Sequence, residues 1–190
     1  MHALNTVDYQ LRLATLADVP ALRELIARSI RELGANDYTP AQIEAALTGA
    51  FGVDTALIHD GTYFVVAADA DEIVGCGGWS RRKTLFGSDA RAARDDSWLD
   101  PALDAARIRA FFVDSRHARR GLGRLLLDHC EAEAVRAGFT EFALMATLPG
   151  KRLYENFGYL PAAPIEHPLP GGLHITFVPM KKTCGSQPTT

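Results

Sequence analysis

Cysteine is scarce in this chain, and the three that occur, Cys76, Cys130 and Cys184, stand far apart without a CxxC pair. An odd, scattered set of thiols excludes a disulfide framework and offers no zinc-ligand spacing, so reduced thiols and no metal are expected. No apolar run reaches the length of a membrane span. Met1 to Leu13 lacks the long apolar core of a secretory signal. A cytoplasmic chain with no membrane partner is expected. Positive charge is not in excess either: 20 Lys and Arg face 23 Asp and Glu, a formal net charge of −3, which argues against a general nucleic-acid binder. The GxxxxGK[ST] order of a phosphate-binding loop and a strand-linked GxGxxG are both missing. So are internal repeats, low-complexity stretches and any serine or cysteine nucleophile motif.

What is present fits one soluble globular domain. The 190 residues are 47% hydrophobic and 23% charged, enough for a real core and too few to expect two domains. Tyr9 to Ala14 alternates as a strand, and Thr15 opens a helix to about Leu33 whose apolar residues recur at helical spacing. Thr39-Pro40-Ala41-Gln42 is a capping box with proline in the first helical position, starting a helix that ends near Gly49. Tyr63 to Ala68 and Ile73 to about Leu85 read as an antiparallel hairpin. Gly75, Gly77 and Gly78 mark a bulge or a close backbone approach in its second strand. Phe86 to Asp104 is irregular. Arg107 to Val113 is a central strand, Leu122 to Ala137 a helix, Glu141 to Ala146 a strand, Lys151 to Phe157 a short helix, and His174 to Met180 a closing strand. This order predicts a single mixed α/β layer, a domain over 1–182 with a flexible tail over 183–190.

Between the central strand and its helix lies Arg119-Arg120-Gly121-Leu122-Gly123-Arg124. Glycines let the backbone approach an anion, the first helical turn offers unpaired N–H groups at a positive dipole end, and three arginines add charge-assisted donors. The six residues suit a pyrophosphate. On their own they equally suit a tight turn with solvated arginines.

Two motifs in order decide between these. The run Ala110-Phe-Phe-Val-Asp-Ser-Arg-His-Ala-Arg-Arg-Gly-Leu-Gly-Arg-Leu-Leu-Leu127, followed by Leu153-Tyr154-Glu-Asn-Phe157-Gly158-Tyr159, resembles the GNAT acetyltransferases, and the order of elements agrees from about Leu11 to Lys182. One departure stands out: the family's glycine motif usually opens with Arg or Gln where this chain has Ala118. The resemblance implies a GNAT-like mixed sheet with splayed central strands. It implies acetyl-coenzyme A as cosubstrate, with its pyrophosphate on the glycine bend and its pantetheine arm between Phe111 to Val113 and Leu144 to Thr147. A backbone N–H near Phe112 or Val113 would polarise the thioester carbonyl, and a primary amine of a small molecule or peptide would attack directly. The cofactor-binding set is thus Phe111, Phe112, Val113, Arg119, Arg120, Gly121, Leu122, Gly123, Arg124, Thr147 and Tyr154.

Tyr154 takes the catalytic role in this reading, protonating the departing thiolate; packing beside Leu153 and Phe157 is the plainer alternative. No general base stands out among Asp114, His117, Glu141 and His174. Cys130 reads as core packing. Tyr38, Trp79, Arg81 and Trp98, with Arg82, are candidates for the acceptor wall; Trp79 equally suits the core and Arg81-Arg82-Lys83 a solvated strand end, while cations facing the cleft would favour an acceptor carrying carboxylate or phosphate. Dimers are common in the resembling family. The alternative function is a non-catalytic acyl-coenzyme A sensor or interaction module of the same fold.

Overall fold

The computed structural model describes residues 7–90 and 95–185. The first six residues, residues 91–94 of the expected irregular loop and 186–190 of the expected tail lie outside them. The described chain runs β1 (Gln10–Leu13), α1 (Val19–Leu33), α2 (Pro40–Ala46), α3 (Thr55–His59), β2 (Tyr63–Ala67), β3 (Ile73–Ser80), β4 (Ala106–Val113), α4 (Leu122–Arg136), β5 (Glu141–Thr147), α5 (Lys151–Glu155), β6 (Leu160–Pro161), β7 (Ile165–Pro168) and β8 (His174–Thr183). The strands form one sheet in the order β1-β2-β3-β4-β5-β8-β6, with β7 also on β8.

Local chemistry accounts for most boundaries. Thr39 caps α2 by accepting from the Gln42 N–H, while the Gln42 carboxamide accepts from the Thr39 N–H at 2.9 Å, which satisfies two orphan donors at once. The expected helix from Leu16 is divided: a single 3₁₀ turn at Leu16–Asp18 precedes α1, and Pro20 lies in the first turn of α1. Three elements escaped the sequence reading. α3 is only five residues long, and β6 and β7 lie in what reads as a proline-rich loop. Conversely β3 ends at Ser80 instead of near Leu85, and β8 reaches Thr183, because Glu141 to Thr147 of β5 pair with it down to Thr183. The strand therefore takes in Thr183, the first residue of the expected tail.

The sheet carries a core on each face. On one side Leu126, Cys130 and Ala134 of α4 pack with Val74, Trp79, Ile108 and Phe142. On the other Leu22, Leu25 and Ile26 of α1 and Ile43 of α2 pack with Val65, Cys76 and Phe112. Cys130 is fully buried, as expected for a small core residue.

Alternation along β4 breaks once. Cys76 lies opposite Phe112 and Gly78 opposite Arg109, so Gly77 faces two residues, Ala110 and Phe111. Ala110 takes φ +57°, a left-handed conformation uncommon for a residue with a side chain. Ala106 and Ile108 pack on the α4 side, and without the bulge so would Phe112; with it, Phe111 and Val113 take that side and Phe112 joins the opposite core. Two contacts hold the bulge. The buried Tyr63 hydroxyl donates to the Ala110 carbonyl at 3.2 Å. A Cβ on Gly77 would come within 2.8 Å of the Phe111 ring, so the glycine is what lets that ring lie flat on β3.

Candidate active site

Beyond the bulge the central strands part. β4 and β5 pair in parallel only at Ala106 with Phe142 and Arg107 with Ala143, although β5 continues on β8 as far as Thr147. The Asp114 N–H donates to Val74 on β3 at 2.9 Å. Neighbouring residues of a strand point their amides to opposite edges, so Val113 turns its N–H and C=O into the opening.

The opening leads onto the glycine bend. Arg119 takes φ +61° and Gly121, the residue before α4, φ +84°. Among the described residues the N–H groups of Arg119, Arg120, Gly121, Leu122, Gly123 and Arg124 have no protein partner; the first bonded amide of the helix is that of Leu125, which donates to Gly121. Six successive unpaired amides at a helix start, beside exposed Arg119, Arg120 and Arg124, are suited to phosphate oxygens. The bend is open to solvent. Gly123 lies close under α5, where a Cβ would sit 3.0 Å from a Leu153 methyl and make that side chain shift. Arg124 lies over the Phe157 ring at 5.3 Å.

A groove of about 550 Å³ joins these parts, lined by Phe111, Phe112, Val113, Arg119, Gly121, Leu122, Gly123, Arg124, Thr147 and Tyr154, and also by His117, Ala118, Arg152 and Asn156. Of the cofactor-binding set only Arg120 does not line it; its guanidinium is directed to the Tyr9 hydroxyl at 3.4 Å. That hydroxyl is also 3.0 Å from His117 Nδ1. With Ala118 short, Arg119, Arg124 and Arg152 supply the cations of the groove.

Tyr154 lies where this groove meets a smaller cleft of about 70 Å³; Phe111, Phe112, Thr147 and Tyr154 line both. Its ring packs edge-on against Phe111 and Tyr159 at 6.3 and 5.8 Å between centroids. Burial holds its phenol above the ordinary tyrosine range, so the proton stays on oxygen at neutral and mildly alkaline pH.

The smaller cleft is aromatic, with Phe51, Phe86, Phe112 and Phe177 around it. Among the described residues its one charged side chain is Arg109, which is 4% exposed. Arg109 Nη1 is 2.7 Å from the fully buried Asp54 carboxylate, and Nη2 donates to Gly87 at 2.9 Å. Parting such a buried pair would cost about 3–5 kcal/mol, so the guanidinium is held in place. Asp54 also caps α3 through the Ala56 N–H.

The acceptor wall expected from the sequence lies elsewhere. Tyr38 is buried and its hydroxyl is used twice, donating to Thr176 O and accepting from Leu148 N, with its pKa pushed up to about 12 by burial. Trp79 is in the α4-side core against Phe139, because β3 turns it to the face opposite the aromatic cleft. Arg81 and Arg82 stack on the exposed Trp98 at 5.5 and 4.5 Å, and Arg82 pairs with Asp60. None of these five residues lines the groove or the cleft, so the reason to expect an anionic acceptor falls away. Asp114, a candidate base, is instead a brace: buried, bonded by Arg116 and Arg28, and held below the usual carboxylate range first by Arg116. Glu141 is exposed at the start of β5 and His174 exposed at the start of β8. Arg109 had one signal in the sequence, a cation inside an apolar strand run; Phe51, Phe86 and Phe177 had none.

The family described as Acetyltransferase (GNAT) matches residues 22–159. No curated sequence matches the chain. Among solved structures, a GCN5-related N-acetyltransferase from Rhodopseudomonas palustris superposes with a TM-score of 0.65 at 17% identity, over 96% of this chain and 99% of that one. PaiA N-acetyltransferase from Thermoplasma acidophilum, solved with coenzyme A, gives 0.61 at 13% identity over 93% and 99%. The ribosomal-protein-S18-alanine N-acetyltransferase of Escherichia coli gives 0.56 at 16% identity over 95% and 96%. At these identities the likeness is one of fold. No described helix is long and apolar enough to cross a membrane.

Proposed function

Because the chain belongs to the GNAT acetyltransferase family, we propose that it moves the acetyl group of acetyl-coenzyme A to a primary amine of a small molecule or peptide, by direct attack in a ternary complex. The observation that carries this reading is the continuity of two half-sites through Tyr154. On one side is a groove ending in six unpaired amides; on the other is a cleft with room for an acceptor.

The residues divide the work as follows. The bend from Arg119 to Arg124 holds the diphosphate through backbone N–H groups, and the arginines add charge. The parted strands receive the pantetheine arm, whose amides can pair with the unmatched edges of β4 and β5. The Val113 N–H, aimed into the opening, donates to the thioester oxygen as negative charge grows there. The amine nitrogen forms a bond to the carbonyl carbon, the carbon–sulfur bond breaks, and the nitrogen gives up its extra proton to solvent. Tyr154 donates its phenolic proton to the departing sulfur and is reprotonated from water. No described carboxylate lines the cleft as a base, so the amine arrives neutral.

Titration calorimetry with acetyl-coenzyme A, followed by thiol release with an amine panel, tests the proposal. Micromolar uptake with thiol release is expected. Uptake without release across the panel would favour the acyl-coenzyme A sensor, and no uptake would remove both.

A further inference from the structure

We infer that the acceptor's amine is carried on a short, uncharged apolar group, so that aliphatic monoamines are preferred over amino acids and polyamines. The inference rests on the transferase reading above and concerns the cleft on the acceptor side of Tyr154.

Three observations lead there. Phe51, Phe112 and Phe177 meet edge to face at 6.2 and 5.9 Å, and Phe86 closes on Phe177 at 5.3 Å. The wall is therefore an interlocked set of rings that offers more carbon than polar surface. Among the described residues the one charged side chain on the wall, Arg109, is engaged by Asp54 and Gly87, so a ligand carboxylate would have to compete with a buried carboxylate already in contact. A second ammonium on the ligand would lie beside rings with no carboxylate among the described lining residues to receive it, and leaving water for such a wall disfavours charge. Size gives the third constraint. The cleft's volume of about 70 Å³ is roughly half of the ~150 Å³ in which an apolar protein cavity holds benzene. In proportion it takes an alkyl group of roughly three or four carbons.

The charge-neutral wall also suits the chemistry. An amine entering it sheds its proton more readily than in water, because desolvation disfavours the ammonium, and the nucleophile is the free amine.

The test uses the full chain and acetyl-coenzyme A, with thiol release as readout. The acceptors are n-alkylamines from ethylamine to hexylamine, alongside putrescine and alanine. The specificity constant is expected to rise about fourfold per methylene, the ratio set by burying one such group, then to stop rising at about butylamine. Putrescine and alanine are expected at least tenfold below propylamine. Phe86→Ala, which opens the wall, should move the break to longer chains. Ala50→Leu, which fills the cleft from the facing loop, should move it to shorter ones. A flat chain-length profile, a preference for putrescine or alanine, or a break that neither substitution moves would overturn the inference and leave the transferase reading intact. Absence of release with every amine would overturn both.

Discussion

The two halves of the site are made from different parts of the protein. The glycine bend is a contiguous segment that works through its main chain. Its donors are peptide N–H groups, its conformation depends on φ values of +61° at Arg119 and +84° at Gly121, and it stands open to water. The cleft proposed for the acceptor is lined by six separate stretches, around Phe51, Phe86, Arg109–Phe112, Met145 and Thr147, Tyr154 and Phe177, and aromatic rings form much of it. A backbone site suits what every member of a ligand class shares, in the proposed reading a diphosphate; a side-chain site suits telling one acceptor from another. Tyr154 belongs to both, which is why its chemistry should be separable from either binding event.

That separation can be broken at several points. The largest effect is expected from Tyr154→Phe: kcat should fall about a hundredfold, the scale of a lost general acid, while calorimetric affinity for acetyl-coenzyme A stays within about twofold. The wild-type specificity constant should climb with pH as the acceptor loses its proton. It should not turn down before about pH 10, the ordinary tyrosine value, because burial raises the Tyr154 pKa. An alkaline fall below that would show the acid to be another group.

Next in size is Gly121→Val. No atom lies within 4 Å of a Cβ built there, so the cost is the left-handed φ alone. Affinity for acetyl-coenzyme A should drop about tenfold, with the chain-length preference for amines unchanged. A changed amine preference would mean that the two halves are coupled.

Asp114→Asn bears on the scaffold between them. Asp114 has a depressed pKa, so its contribution to stability is complete above the unfolded value near 4 and is lost as the pH falls below it. Asp18, held at about 2 by Arg12, acts in the same direction. Urea titrations should show wild-type stability declining from about pH 4 downward. The variant should be about 1–3 kcal/mol less stable at pH 7, the value of hydrogen bonds to a charged group, and should decline less steeply in acid. Equal acid slopes would rule Asp114 out as the brace. Arg81→Ala should do least, changing kcat/KM by less than about twofold, because its guanidinium lies against Trp79 and Trp98 away from the cleft.

Legibility followed the same division. The bend, the Tyr154 helix, α2 with its capping box and the central strand could be read from the chain because each is specified by neighbours in sequence. Helical spacing places Cys130 in the core correctly for the same reason. The aromatic cleft could not be read, because aromatic residues carry no local mark that distinguishes a cleft from a core. Trp79 and Tyr38 show the converse error: both belong to element faces fixed by strand parity and packing. Arg81 and Arg82 follow strand β3, where a short bridge from Arg82 to Trp98 turns them aside. The bulge was half visible. The glycines of β3 announced a close approach, but the extra residue sits on β4 at Ala110, where alanine gives no warning.

The parting of β4 from β5 gives the sheet two raw margins in its middle, where most sheets have none. Unmatched strand margins invite other extended chains, and here they face a slit lined in part by residues of α1, α4 and α5. Whatever fills that slit completes the sheet, so occupancy should act as a missing strand would: slowing amide exchange at Val113 and raising the midpoint of thermal unfolding in proportion to the logarithm of ligand concentration.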